Sequence, residues 1–284
     1  MRRYSVDGRA ARGTALRRTP VRQEKANILP SASHMSRYTF ATTVRRTGRV
    51  TGGQQRAIDL VSGRERVPAI WLTPSVSGRV PAALLLHGFS SSKERMAQAI
   101  GRALLTHGVA SLALDLPFHG EREGADREIP KNPLALVGAW KTAVAESRAA
   151  TEWLGAQPEV DDSRIGVVGY SLGGFLALMT AAEDDRLRVV ALAAAGDLPD
   201  RTPYAALVRS LIDPLRAASR LDGRPLLLVN GRRDTTTRPA QAERLFAAAR
   251  EPKTMRWYEG GHWPPPPAIE GAAAWVATHL TSPV

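Results

Sequence analysis

Between an apolar run at 164–168 and an Ala/Leu-rich stretch starting at Leu172, the chain reads Gly169-Tyr170-Ser171-Leu172-Gly173. A serine so flanked suits a sharp turn from a buried strand into a helix, where a strained backbone thrusts the hydroxyl into a cleft. Gly169 and Gly173 answer to the close approach of strand and helix, which leaves no room for side chains. The helix N-terminus after Ser171 adds free N–H groups and the positive end of a dipole, both suited to a developing oxyanion. The string alone also fits an ordinary tight turn; its position between strand and helix gives it weight.

From about residue 54 onward the chain alternates short apolar runs with longer amphipathic stretches. The runs lie at 57–61, 67–72, 82–86, 109–114, 164–168, 189–194, 225–229 and 254–258, and the helical stretches near 93–107, 135–156, 172–183, 238–250 and 267–280. Five runs are almost continuously apolar, as expected of strands covered on both faces in a parallel sheet. The first two flank Ser62-Gly63-Arg64 and read as an opening hairpin. The expected fold is α/β, a doubly wound, mostly parallel sheet of about eight strands with helices on both faces. Residues 198–223, with Pro199, Pro203 and Pro214, interrupt the rhythm and read either as a small cap or as a longer surface crossover. Residues 121–133 are polar and read as a surface loop beside the same site.

The formal net charge of +12 is unevenly placed. Residues 1–40 carry nine Arg/Lys against two acids, so more than half of the excess sits in a short segment without hydrophobic periodicity. Composition reads 1–40 as a basic, disordered tail and 41–284 as the folded domain. A targeting signal and a basic arm for anionic partners are the competing readings. No apolar stretch of signal length follows Arg2-Arg3 or Arg45-Arg46, so a cytoplasmic location is expected. Nucleic acid is not expected as a partner, and no run reaches the length of a membrane span. With no cysteine, thiol nucleophiles and Cys-ligated metals are excluded.

Two further residues emerge just past strands. Asp234 follows the run at 225–229 through Asn230-Gly231-Arg232-Arg233, and His262 follows the run at 254–258 through Glu259-Gly260-Gly261. Serine, acid and histidine in this order would all stand at the carboxyl ends of parallel strands, where ligand sites of such sheets form. Asp197, just after 189–194, is the competing acid. His107 and His279 read as helix-end residues, and His87 as a residue that shapes its own loop. His119, after a strand in Asp115-Leu116-Pro117-Phe118-His119-Gly120, reads as lining the site together with Tyr170 and Trp263. The four prolines 264–267 read as a stiff lead-in to the last helix.

His87-Gly88-Phe89, Asp115 to Gly120, Gly169 to Gly174, Gly231 to Asp234 and Gly261-His262 together resemble the α/β-hydrolase superfamily from residue 56 onward. The compact layout is similar to its dienelactone-hydrolase-like and small bacterial carboxylesterase branches. Dienelactone hydrolases proper use cysteine, and dehalogenases and epoxide hydrolases use aspartate, where this chain has Ser171. The resemblance implies a serine hydrolase acting on a small-molecule ester of small to medium acyl chain. It assigns Ser171 as nucleophile, His262 as base and Asp234 as orienting acid. It assigns the Phe89 and Leu172 backbone N–H groups as oxyanion donors, with no metal or cofactor. A prolyl-oligopeptidase-like peptidase and a non-catalytic binding protein on the same scaffold are the alternatives.

Overall fold

The computed structural model describes residues 38–125, 133–199, 208–210 and 212–282. Nine strands form one sheet: β1 Ala41–Val50, β2 Gly53–Ser62, β3 Glu65–Pro74, β4 Val80–Leu86, β5 Ala110–Leu114, β6 Val160–Tyr170, β7 Leu187–Ala193, β8 Leu226–Gly231 and β9 Lys253–Tyr258. Their spatial order is β1-β2-β3-β5-β4-β6-β7-β8-β9. β1, β2 and β3 meander antiparallel and join β5 antiparallel; β5, β4, β6, β7, β8 and β9 run parallel. The chain leaves β4 toward β5 and then returns to β4's other side with β6. That reversal opens a crevice at the carboxyl ends of β4 and β6.

Adjacent residues explain the continuous apolar runs. Leu84, Val167 and Val190 pack into one core, whereas Leu85, Val168 and Ala191 pack into the other. Side chains alternate across a strand, so burial on both faces requires every position to be apolar. The first core is covered by α3 (Pro133–Gly155), α4 (Leu172–Glu183) and α6 (Pro239–Ala248), through residues such as Leu154, Leu176 and Leu245. A short α5 (Pro214–Ser219) caps itself on Asp213 and adds Ala217 and Ala218 to this core. The second core is covered by α1 (Lys93–Met96), a π-helical turn (Ala97–Gly101), α2 (Arg102–Thr106) and α7 (Pro266–Thr281).

The opening hairpin is present as β2 and β3. The sheet has nine strands where about eight are expected, the addition being β1. Residues 41 to 49 are all exposed, so β1 has no apolar run to betray it. The Arg45-Arg46 pair lies within this strand. Arg45 pairs with Asp59 and Glu121, and the Trp153 indole donates to Thr42 at 2.6 Å. Almost all of the expected tail, residues 1–37, falls outside the described residues. So do 200–207 and 211 of the expected cap and 126–132 of the polar loop. Among the described residues no helix is long and apolar enough to cross a membrane.

Candidate active site

Ser171 sits between β6 and α4 at φ 53°, ψ −116°, a conformation costly for a residue with a Cβ. Backbone bonds hold it there. Its N–H donates to the Ala193 carbonyl at 2.9 Å, and its carbonyl accepts from the Phe175 N–H at 3.1 Å. The flanking glycines are demanded by close approach: a Cβ on Gly169 would overlap the Gly173 carbonyl, and one on Gly173 the Leu86 carbonyl.

His262, from the loop after β9, places Nε2 2.8 Å from Ser171 Oγ and Nδ1 2.8 Å from Asp234 Oδ2. Asp234, from the loop after β8, is fully buried. Its second oxygen accepts from the N–H groups of Thr236 at 2.8 Å and Thr237 at 3.0 Å. A carboxylate so engaged only accepts, so it fixes the ring with the proton on Nδ1 and leaves Nε2 as an acceptor facing Ser171 Oγ. The acid and base loops are stitched together by Arg232 N–H to the Tyr258 carbonyl (3.0 Å) and Arg233 N–H to the Gly260 carbonyl (2.8 Å).

The competing residues are engaged elsewhere. Asp197 accepts from Arg209 at 2.8 and 3.0 Å, from Arg244 at 2.9 Å and from the Leu198 N–H at 2.7 Å. Glu259 pairs with Arg232, His107 with Glu270, and His279 stacks on Trp275.

The wall opposite Ser171 comes from the loops after β4 and β5. His87 is fully buried; its Nδ1–H donates to the Gly88 carbonyl at 2.7 Å and its Nε2 accepts from the Leu116 N–H at 3.0 Å. It therefore ties the two loops together with both ring nitrogens engaged. A larger clamp had no signal in the sequence. Lys93, 1% exposed, donates through Nζ to Asp115 (2.8 Å), Glu121 (2.8 Å) and Glu94 (2.7 Å). Asp115, also buried, accepts in addition from the backbone N–H groups of Lys93 and Glu121, each at 2.9 Å. Gly120 follows from this packing: it has φ +59°, and a Cβ there would overlap the Asp115 carboxylate. Phe89, carried on this clamped loop, is 60% exposed, and Leu172 opens α4, where an N–H lacks an intrahelical partner.

Burial pushes the His87 imidazole down to about 4 from its ordinary 6.5. The unfolded chain takes up a proton on this residue below pH 6.5, whereas the folded chain refuses it until about 4. Its neutral-state contribution is thus complete above pH 6.5 and lost across that window, by about 3 kcal/mol. Urea-unfolding free energies measured from pH 7 to 4 should show this loss, and His87→Gln should flatten it. An equally steep loss in the variant would assign the acid lability to other groups. Hydrogen bonds from Arg45 and Lys93 hold the Glu121 carboxyl down at about 2, so its own contribution is whole above its ordinary 4.5 and is lost as the pH falls from there to about 2.

Tyr170 lies 5.4 Å from the His262 ring and 4.8 Å, edge-on, from Trp263, which is 47% exposed under the Arg95 guanidinium. Burial raises the Tyr170 hydroxyl to about 12, so it stays protonated at neutral pH. His119 is 7% exposed and sits edge-on to both Phe89 and His87. Its Nδ1–H donates to the Pro117 carbonyl, and its buried Nε2 has no protein partner among the described residues. His119 therefore supports Phe89 rather than standing open in the cleft. Among the described residues no group of three His, Asp or Glu is arranged to hold a metal ion.

Comparison with known proteins agrees with this architecture. The putative hydrolase YtaP of Bacillus subtilis is 31% identical over 145 residues, 45% of this chain and 48% of that protein. The uncharacterized protein Rv2307c of Mycobacterium tuberculosis is 29% identical over 191 residues, 64% of this chain and 63% of that protein. The matched stretch thus spans about half to just under two-thirds of these curated relatives. Among solved structures, acetyl xylan esterase 1 from Thermoanaerobacterium sp. JW/SL YS485 superposes with a TM-score of 0.69 at 19% identity, over 86% of this chain and 89% of that one. A cold-adapted esterase from an Arctic intertidal metagenomic library gives 0.66 at 22% identity, over 84% and 98%. At such identity the two structures speak to fold alone. The model of the alpha/beta hydrolase family matches residues 83–280, well over half of the sequence, and the chain belongs to that family.

Proposed function

We propose that this protein is a serine hydrolase that cleaves carboxylic esters of small to medium acyl chain through an acyl-enzyme on Ser171. The observation that carries the reading is the unbroken relay from Ser171 Oγ to His262 to buried Asp234, two bonds of 2.8 Å each. His262 Nε2 takes the hydroxyl proton as Oγ attacks the acyl carbon, and Asp234 stabilises the imidazolium that forms. The oxyanion of the tetrahedral intermediate is held by the backbone N–H groups of Phe89 and Leu172. The imidazolium then protonates the departing alkoxide. Water, losing its proton to the same nitrogen, attacks the acyl-serine and releases the acid. Tyr170 and Trp263 bound the substrate space, and His119 shapes it through Phe89. Esters are chosen over other acyl compounds on the resemblance of the motifs around Ser171, Asp234 and His262 to those of small bacterial carboxylesterases.

The reading is tested with p-nitrophenyl esters from acetate to palmitate. Turnover of the short chains and little or none of palmitate is expected. A folded protein inert toward every ester would sink it, in favour of peptide substrates or a non-catalytic scaffold.

A further inference from the structure

Beside the serine–histidine pair lies a second space with apolar walls, a cleft of about 50 Å³ between the sheet, the π-helical turn and α7. Ser171 and His262 do not line it, but their chain neighbours Tyr170 and Trp263 do. The two rings meeting edge-on make a wall shared by the cleft and the reacting centre. Arg95, over Trp263, stands at its rim.

Two features show that the space is built rather than left over. Small residues line it from three separate elements: Ala99 in the π-helical turn, Ala193 on β7 and Ala272 on α7. A larger aliphatic residue at any of these would fill it. Moreover, the helix between β4 and β5 departs from α geometry at Ala97–Gly101, and Ala99 and Ile100 of that turn face the cleft. A π-helical turn widens the helix locally and recurs at functional sites.

We infer that this cleft is the apolar subsite of the active centre and takes a short aliphatic end of the ester. The inference rests on the ester-hydrolase reading above. Apolar walls favour apolar guests, and 50 Å³ is room for only a few atoms, at roughly 10–15 Å³ per water-sized probe. Ile100 and Ile269 are the largest aliphatic side chains of its lining apart from Met96.

Ala99→Phe closes the cleft and Ile269→Ala enlarges it. Both are assayed on two series: p-nitrophenyl acetate, butyrate, hexanoate and octanoate, which vary the acyl chain, and methyl to hexyl acetates, which vary the alcohol. Wild type should favour a chain of about four carbons in one series, and Ala99→Phe should lower kcat/KM for that chain about tenfold while leaving the shortest ester within about threefold. Ile269→Ala should move the optimum to longer chains in the same series. The series that responds identifies which end of the ester occupies the cleft. If wild type is active and neither variant changes its chain-length ratios in either series, the subsite is wrong while the ester reading stands. An inert wild type overturns both.

Discussion

Ser171→Ala should keep the fold and lose turnover of short p-nitrophenyl esters by on the order of 10⁵- to 10⁶-fold in kcat. The effect is this large because the relay has no substitute. With Oγ gone, His262 Nε2 loses its partner at 2.8 Å and no acyl-enzyme can form. The fold should survive because the turn is held by backbone bonds at Ser171 N–H and carbonyl, neither of which involves the hydroxyl. Two carboxylates provide the comparison. Asp234→Asn should lower kcat by about 10⁴-fold through the wrong histidine tautomer. Asp197→Asn, whose carboxylate is committed to Arg209 and Arg244, should cost stability and spare the chemistry. Retained turnover in Ser171→Ala, with thermal melting unchanged, would remove Ser171 from the mechanism.

The second large effect is on stability. Lys93→Met should destabilise the protein by about 3–5 kcal/mol, because it leaves Asp115 charged, buried and short of a cation. The pair stands at 2.8 Å with side-chain exposures of 1% and 0%, so water cannot compensate. Glu94 and Glu121, which complete the lysine's partners, are half-exposed and add less. Urea unfolding of Lys93→Met, Asp115→Asn and the double variant gives the coupling directly. The double variant should be less destabilised than the sum of the singles, since neutralising the aspartate removes the orphaned charge. A loss below about 1 kcal/mol in Lys93→Met would mean that the cluster is solvated, as surface ion pairs are.

The parallel half of the sheet was legible because its strands are buried on both faces and must be apolar throughout. β1 was not, because its residues 41 to 49 are exposed and a strand without a buried face needs no hydrophobic pattern. The serine turn was legible for a steric reason: only glycine fits beside the Gly173 and Leu86 carbonyls. Asp234 and Asp197 both follow strands, so Asp197 stayed the competing acid behind Asp234. What separates them is that two arginines converge on Asp197, one of them 47 residues away, and such a pairing leaves no local trace. The Lys93–Asp115 pair was hidden for the same reason: both residues are of the types that usually mark solvent, and burial was decided by loops meeting in space. The π-helical turn left no mark either, since Ala-Gln-Ala-Ile-Gly suits an ordinary helix.

β9 brings His262, yet within the sheet it is bonded to β8 alone, while the nucleophile rises from β6 near the middle. Edges of a sheet open at lower free energy than its centre. A transient detachment of that margin would carry the histidine away from Ser171 while leaving the apolar interior closed. Such a molecule passes for native in bulk spectroscopic signals but cannot move a proton. Activity would then be lost while the fold persists, and shelf life and folded lifetime need not coincide.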